Sequence, residues 1–127
     1  MFRLPTLNQI DAAPGVRIFL CTEVTDMRRG FDRLAEMVRE SLRQDPLSGN
    51  LFVFRNRSGE KLKIFYWDAD GFAQWYKRLE EGTFRFPRIV EGQHSIEVKA
   101  SELAMLLEGI DLRSIRRVKR FKTPQKI

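Results

Sequence analysis

Residues 51–67 read LFVFRNRSGEKLKIFYW, and this stretch predicts two strands joined by a tight turn. Residues 51–54 form an unbroken apolar run, which is typical of a strand buried on both faces. In residues 61–67 apolar side chains recur at every second position, which predicts a strand buried mainly on one face. Residues 56–59 are turn formers, and Gly59 stands where a short hairpin loop often needs a positive φ. Because a two-stranded ribbon is marginal in water, we expect it to recruit flanking elements.

The segments around this hairpin predict three further strands. Residues 16–20 (VRIFL) form a short apolar run that we expect to pair with the hairpin. Residues 83–87 (TFRFP) favour an edge strand, because proline is tolerated at a sheet edge and not in a central strand. Residues 95–98 (SIEV) are another short candidate. The expected sheet is therefore small and mostly antiparallel.

Helical periodicity occurs in three places. Apolar side chains from Met27 to Leu42 recur at steps of three and four, which predicts one long helix, capped by Thr25 or Asp26 and ended at residues 45–46 (DP). The same spacing predicts two short helices, one ending near Gly82 and one starting at a Ser101 cap. Their apolar residues are Phe72, Trp75, Tyr76 and Leu79 in the first, and Leu103, Leu106, Leu107 and Ile110 in the second. Because aromatic residues also suit strands, a strand over residues 72–81 stays open.

The expected fold class is α+β, with one long and two short helices packed on a sheet around residues 51–67. The chain has 127 residues, of which 43% are hydrophobic, and this favours one domain over residues 16–112, between a flexible leader at 1–15 and a basic tail at 113–127. A single cysteine excludes an intramolecular disulfide and cannot by itself form a zinc site, so we expect no metal and no cofactor. No signal peptide or apolar run of roughly 20 residues is present, which predicts a soluble cytoplasmic protein.

The charge of the chain is concentrated at one end. All 17 acidic residues and 16 of the 23 basic residues lie in residues 1–112, which leaves that part at −1 and residues 113–127 at +7. Such segments often contact nucleic acid, with a solubility tail and attraction to a membrane surface as alternatives. The candidate DNA-binding residues of the tail are Arg113, Arg116, Arg117, Lys119, Arg120 and Lys122, and Lys126 is its seventh basic residue.

Basic residues also stand beside aromatic residues within residues 16–112, a mixture that suits phosphate contacts and base stacking. The three places are residues 55–63, 75–78 and 85–88. Lys77 and Arg78 are the DNA-binding candidates among them. The competing interpretation, which we favour for this part of the chain, is that the aromatic side chains form the core and the charged ones are solvated.

A catalytic site has little support in the sequence. His94, the only histidine, lies in a loop-like stretch without an identifiable partner, and Cys21 ends an apolar strand where an inert, buried thiol is expected. Residues 68–71 (DADG) resemble the start of a calcium loop, but the third oxygen ligand and the distal glutamate are missing, so we expect a turn there. A metal-dependent nuclease would need carboxylates from a set of four aspartates. That set is Asp26, Asp32, Asp68 and Asp70. We therefore expect no enzyme activity.

Five blocks of the sequence, in the same order, closely resemble the small accessory protein, TnpB type, of the insertion sequence 66 transposon family. The resemblance covers about residues 16–112. The sequence departs from the family pattern in three places, because the family commonly has a basic residue where Thr83 stands, a tryptophan where Phe86 stands and a more basic sequence at residues 58–60 (SGE). The blocks are residues 25–32 (TDMRRGFD), 45–54 (DPLSGNLFVF), 67–68 (WD) with 71–72 (GF), 76–80 (YKRLE) with Gly82 and Phe84, and 106–111 (LLEGID).

The resemblance implies a bacterial mobile-element protein encoded beside a separate, larger transposase that carries out strand transfer. The resemblance implies no catalytic residue in this chain. The leading hypothesis is a non-catalytic accessory protein for DNA transposition that binds the transposase of the same element, the element's DNA, or both. The alternative is a protein-only assembly module without DNA contact.

Overall fold

The computed structural model describes residues 15–110, which form one five-stranded sheet and two helices. In chain order the elements are β1 (Ile18–Cys21), α1 (Phe31–Glu40), β2 (Leu51–Arg55), β3 (Lys61–Asp68), β4 (Gly71–Arg78), β5 (Ser95–Val98) and α2 (Ala100–Leu107). The strand order is β4-β3-β2-β1-β5, in which β1 and β2 run parallel and the other neighbours antiparallel. The α+β class is confirmed, but the sheet is mixed and the described part contains two helices in place of three. Most of the predicted leader, and the whole predicted tail, lie outside the described residues.

The hairpin of β2 and β3 lies at the centre of the sheet, as the sequence predicts. Its register pairs Phe52 with Phe65 and Arg55 with Leu62, and Gly59 in the turn has a φ of 78°. The predicted strands at residues 16–20 and 95–98 correspond to β1 and β5, and β1 pairs with β2 as expected. However, residues 62–66 of β3 are all buried, so the prediction that this strand is covered mainly on one face is wrong. The reason is that a layer packs on each face of the sheet.

Two apolar layers cover the sheet. α1 packs on one face, and α2 packs on the other together with the side chains of Phe84 and Phe86. Because consecutive strand residues point to opposite faces, each central strand contributes to both layers. Burial of each large apolar side chain contributes roughly 1.5 to 3 kcal/mol before entropy is subtracted. The buried residues of the α1 core are Phe19, Cys21, Met27, Leu34, Ala35, Met37, Val38, Leu42, Phe52, Phe54 and Phe65, and those of the α2 core are Ile18, Leu20, Leu51, Val53, Leu62, Ile64, Tyr66, Phe84, Phe86, Val98, Leu103 and Leu106.

β4 occupies residues for which the apolar spacing predicts a short helix, so that prediction is wrong. Asp68 pairs with Gly71 across a two-residue turn in which Ala69 has a φ of 55°, and all eight residues of β4 have partners in β3. Phe72 contacts the α1 core whereas Trp75 contacts the α2 core, as in a strand that is covered on both faces. The sequence DADG therefore forms a hairpin turn, and the open edge of β3 selects the extended conformation that follows it.

The predicted edge strand at residues 83–87 is also wrong. Within the described part of the chain this segment belongs to no strand, and it folds over the β2–β3 turn. The Phe84 amide donates a hydrogen bond to the Gly59 carbonyl at 2.7 Å, and the Phe84 and Phe86 side chains insert into the α2 core. A Cβ atom at Gly59 would lie 3.3 Å from the Cβ atom of Thr83. Close approach and positive φ together account for the glycine.

Neither helix begins at the cap residue that the sequence predicts. Gly30 precedes α1, and the predicted caps at residues 25 and 26 lie ahead of its first turn. The Asp26 carboxylate instead accepts a hydrogen bond from the backbone amide two residues later, at 2.9 Å. Lys99 precedes α2 and its amide donates to the Glu102 carboxylate at 2.8 Å, so the predicted Ser101 cap is wrong. Neither helix of the described residues is long and apolar enough to cross a membrane.

Candidate nucleic-acid interface

Four arginines line one groove at the turn end of the β2–β3 hairpin. Arg55 ends β2, Arg57 lies in the turn, and Arg85 and Arg88 lie in the segment that folds over the turn. The groove encloses about 670 Å³, and no aspartate or glutamate of the described residues lines it. Within residues 15–110, none of the four arginines makes an ion pair. This site is termed the arginine groove.

Arg55 is the least exposed of these four arginines. Its guanidinium carbon lies 4.8 Å from the centre of the Phe86 ring, and one terminal nitrogen donates to the Thr22 carbonyl at 3.4 Å. Burial lowers the pKa of Arg55, and its Nε is buried without a hydrogen-bond partner among the described residues. Arginine still remains protonated at neutral pH. The groove therefore contains a partly desolvated positive charge, which favours an anionic ligand.

Arg57 also lines a second groove, of about 580 Å³, which is termed the tyrosine groove. Tyr76 of β4 lies in this groove and is 46% exposed. The Asp26 carboxylate accepts a hydrogen bond from the Arg28 guanidinium at 2.7 Å, and this contact holds the pKa of Asp26 well below its usual range. Because the charges of Asp26 and Arg28 cancel, the other basic residues leave the groove positively charged. The basic residues that line it are Arg28, Arg29, Arg57 and Lys61.

A buried lysine forms hydrogen bonds with the backbone of two residues that line the tyrosine groove. Lys63 is only 4% exposed, and its ammonium donates hydrogen bonds to the Met27 carbonyl at 2.7 Å and to the Arg29 carbonyl at 2.9 Å. The same nitrogen lies 4.9 Å from the centre of the Tyr76 ring. Burial lowers the pKa of Lys63, whereas the charge of Asp26 acts in the opposite direction. Lys63 thus positions both the turn before α1 and the exposed tyrosine.

The structure separates the two DNA-binding candidates of β4. Lys77 and Arg78 are consecutive, so their side chains point to opposite faces of the sheet. Lys77 is the cross-strand partner of Leu62, and Arg78 is the cross-strand partner of Lys61. Arg78 also forms an ion pair with Glu80 at 3.0 Å, which reduces its free charge. Neither residue lines the arginine groove or the tyrosine groove, but Arg78 lines a smaller groove beside Tyr76, together with Lys61 and Glu80. The candidates at residues 113–122 lie outside the described residues.

The acidic residues considered for a nuclease do not converge. Asp68 and Asp70 lie at the β3–β4 turn, Asp32 lies on the exposed side of α1, and Asp26 pairs with an arginine. No group of three or more histidine, cysteine, aspartate or glutamate side chains in residues 15–110 is arranged to hold a metal ion. His94 lies exposed just before β5, outside any helix or strand, as its loop-like sequence predicts.

Cys21 is buried, as predicted, and we expect it to react slowly with disulfide reagents in the folded protein. Burial raises its pKa from 9.0 to about 11, which leaves about 100-fold less thiolate near pH 8 than in the unfolded chain. Labelling by dithiobis-nitrobenzoate should therefore be at least about 100-fold slower in native buffer than in guanidinium chloride. Because the folded pKa is the higher one, the associated stability is complete below the unfolded value and is lost as the pH rises to about 11. Rapid labelling of the native protein at pH 8 would contradict this description.

The sequence indicates the two halves of the arginine groove separately and does not by itself show that they meet. Residues 55–63 and 85–88 were recognised as mixtures of basic and aromatic residues, and Phe86 is in the core, as the favoured interpretation holds. Their arginines nevertheless meet, because residues 83–89 return to the turn. The available signal was the spacing of Arg85 and Arg88 around a buried aromatic residue, combined with a turn glycine at residue 59.

The chain is similar to one protein family and to proteins of Sinorhizobium fredii. The family model described as IS66 Orf2 like protein matches residues 16–117, which include all residues of both grooves. A Sinorhizobium fredii (strain NBRC 101917 / NGR234) protein described as uncharacterized protein y4hO is 43% identical over 104 residues, covering 82% of this chain and 89% of that protein. A second protein of that strain, uncharacterized protein y4jC, is 35% identical over 118 residues, covering 93% and 98%. No solved structure matches the chain.

Proposed function

The chain belongs to the IS66 Orf2-like family, and from this we propose that it is a non-catalytic accessory protein for DNA transposition, which binds its element's DNA, the transposase, or both. In this proposal the protein acts in the cytoplasm beside a separate transposase that carries out strand transfer. Its own contribution is binding and positioning.

The arginine groove is the observation that best supports DNA contact. Three exposed guanidinium groups and one partly buried guanidinium group line one site without a carboxylate of the described residues. Guanidinium groups form paired hydrogen bonds with phosphate oxygens, so this arrangement suits the backbone of a nucleic acid. Contacts to the backbone position a protein on DNA without reading its sequence. The groove therefore suits a positioning role.

Replacing Arg57, Arg85 and Arg88 with glutamine should weaken binding to duplex DNA and reduce its salt dependence. Each phosphate contact contributes about −0.9 to the slope of log affinity against log salt, so loss of three contacts should make the slope shallower by about 2.7. Gel shifts of the element's end sequence, titrated with salt, measure this slope.

Arg33, Arg39 and Arg43 provide a charge-matched control, because they are exposed on or just after α1 and line neither described groove. Glutamine at the first two positions and asparagine at residue 43, where φ is 55°, remove the same charge without strain. We expect this control to retain most of the wild-type slope. Equal slopes for the two triple variants would mean that net charge alone explains binding, and the groove would lose its assignment.

A protein-only assembly module is the second candidate. Residues 1–112 carry a formal charge of −1, and the sheet ends in β4, an eight-residue strand. An edge strand can pair with a strand of a partner through its main chain. The test is co-purification with the transposase of the same element at about 1 M salt, where the screening length is about 3 Å. If a variant without the basic residues of 113–127 still co-purifies with the transposase, this candidate is supported. Loss of the complex in that variant counts against it.

A further inference from the structure

We propose that the tyrosine groove binds an unpaired nucleotide, whose base stacks on Tyr76 and whose phosphates contact Arg57 and Lys61. This inference rests on the proposed function, since it concerns the form of nucleic acid that the protein contacts. It adds a second type of contact to the phosphate contacts of the arginine groove.

Tyr76 has the exposure that base stacking needs. Its side chain is 46% exposed, although it lies on a strand whose neighbour β3 is largely buried. The Lys63 ammonium lies 4.9 Å from the ring centre and is itself held by two backbone carbonyls, so the ring is supported from within the protein. Among the described residues the other aromatic side chain with comparable exposure is Phe31, which is 43% exposed and lines neither groove. Tyr76 is therefore the exposed ring with basic side chains around it.

The charges beside Tyr76 suit phosphates on either side of a stacked base. Arg57 and Lys61 make no ion pair within residues 15–110. Arg78 and Glu80 also lie beside the ring, but they pair with each other at 3.0 Å and their charges largely cancel. Glu60, on the same turn, accepts hydrogen bonds from the Ser58 hydroxyl and the Asn56 amide and does not line the groove. Arg57 lines both grooves, so a strand whose base stacks on Tyr76 could continue along the arginine groove. An aromatic ring in a basic groove is the usual arrangement of sites for single-stranded nucleic acid.

The ligand must be unpaired because of geometry. Within a duplex the faces of each base are covered by the neighbouring bases, and a protein reaches only base edges and the backbone. A side-chain ring can stack on a base only where the base is splayed out, in a single strand or at an open end. The two grooves together therefore suit DNA with a single-stranded segment.

The test uses the full-length protein and fluorescence anisotropy with two labelled probes. One probe is an oligothymidylate of about ten nucleotides, and the other is an abasic backbone of the same length, which keeps the phosphates and lacks the bases. Wild type and Tyr76→Phe should bind the first probe about 5- to 150-fold more tightly than the second, because stacking on one aromatic ring has about this effect. In Tyr76→Leu, which keeps an apolar side chain without a ring, this ratio should fall to about one while affinity for the abasic probe is unchanged.

Equal binding of both probes by wild type, or an unchanged ratio in Tyr76→Leu, would overturn the inference. Urea unfolding of the three proteins establishes that Tyr76→Leu is folded, and affinity for the abasic probe provides the same check within the assay. Binding to a duplex probe distinguishes a failure of this inference from a failure of the DNA contact in the proposed function. If the duplex binds and the ratio is one, only this inference fails; if neither duplex nor single strand binds, the DNA contact in the proposed function fails.

Discussion

Replacing the seven basic residues of the tail with glutamine is expected to make the salt dependence of duplex binding shallower by about 4.5 to 6 in log affinity per log salt. This is the slope that five to seven phosphate contacts contribute at about 0.9 each. The residual slope of about −2.7 should then belong to the three exposed arginines of the arginine groove. Salt-titrated gel shifts of the full-length variant measure both contributions.

Substitution is preferable to deletion here, because the family match continues to residue 117 and a truncation at residue 113 would remove part of it. The matched control replaces Arg113, Arg116, Arg117 and Arg120 with lysine, which keeps every charge. If phosphate charge is what the tail recognises, this control should keep the wild-type slope. An unchanged slope after glutamine substitution would refute a role of the tail in DNA binding and favour a solubility tail.

Replacing Lys63 with methionine should destabilise the protein by about 2 to 4 kcal/mol. Methionine keeps an unbranched apolar stem but removes the ammonium, so the carbonyls of Met27 and Arg29 lose hydrogen bonds of 2.7 and 2.9 Å. Each unsatisfied buried acceptor costs about 1 to 3 kcal/mol, and relief of the buried charge offsets part of this cost. Urea unfolding followed by the fluorescence of Trp67 and Trp75, in β3 and β4, measures the difference.

Lys61→Met is the control for this experiment, since Lys61 lies on the same face of the same strand and is partly exposed. We expect its free energy of unfolding to change by less than about 0.5 kcal/mol. If Lys63→Met is as stable as wild type, water must satisfy the two carbonyls, and the lysine would not be needed to hold the turn before α1. Since that turn carries Arg28 and Arg29, loss of Lys63 should also disturb the tyrosine groove.

Predictions from periodicity succeeded where local chemistry and burial agree. The alternation of β3, the apolar run of β2 and the turn at Gly59 all favour a hairpin, and the hairpin forms. The helical period predicts α1 because its buried residues fall on one face, but the predicted helix is too long at both ends, since it runs from Met27 to residues 45–46 whereas α1 spans Phe31–Glu40. Met27 continues the apolar period into a turn whose carbonyls are satisfied by Lys63, and a side chain 36 positions away leaves no trace in a local pattern.

The candidate site was less accessible to sequence reasoning. Lys77 and Arg78 are adjacent in the sequence, which predicts one shared DNA contact, but on a strand their side chains point to opposite faces. Arg57 and Arg85 are distant in the sequence and line one groove. The aromatic residues that anchor this groove were correctly assigned to the core, and their burial is what brings the arginines beside them to the surface.

Local patterns are enough to establish the hairpin, the existence of α1 and the separation of charge between residues 1–112 and 113–127, because turn residues, periodicity and charge depend on near neighbours in the chain. Contacts between distant residues determine the rest. Residues 71–78 are extended because β3 offers an edge to pair with, although their apolar spacing also fits a helix. Residues 83–89 meet the β2–β3 turn because Phe84 and Phe86 gain burial in the α2 core, and this return assembles the arginine groove.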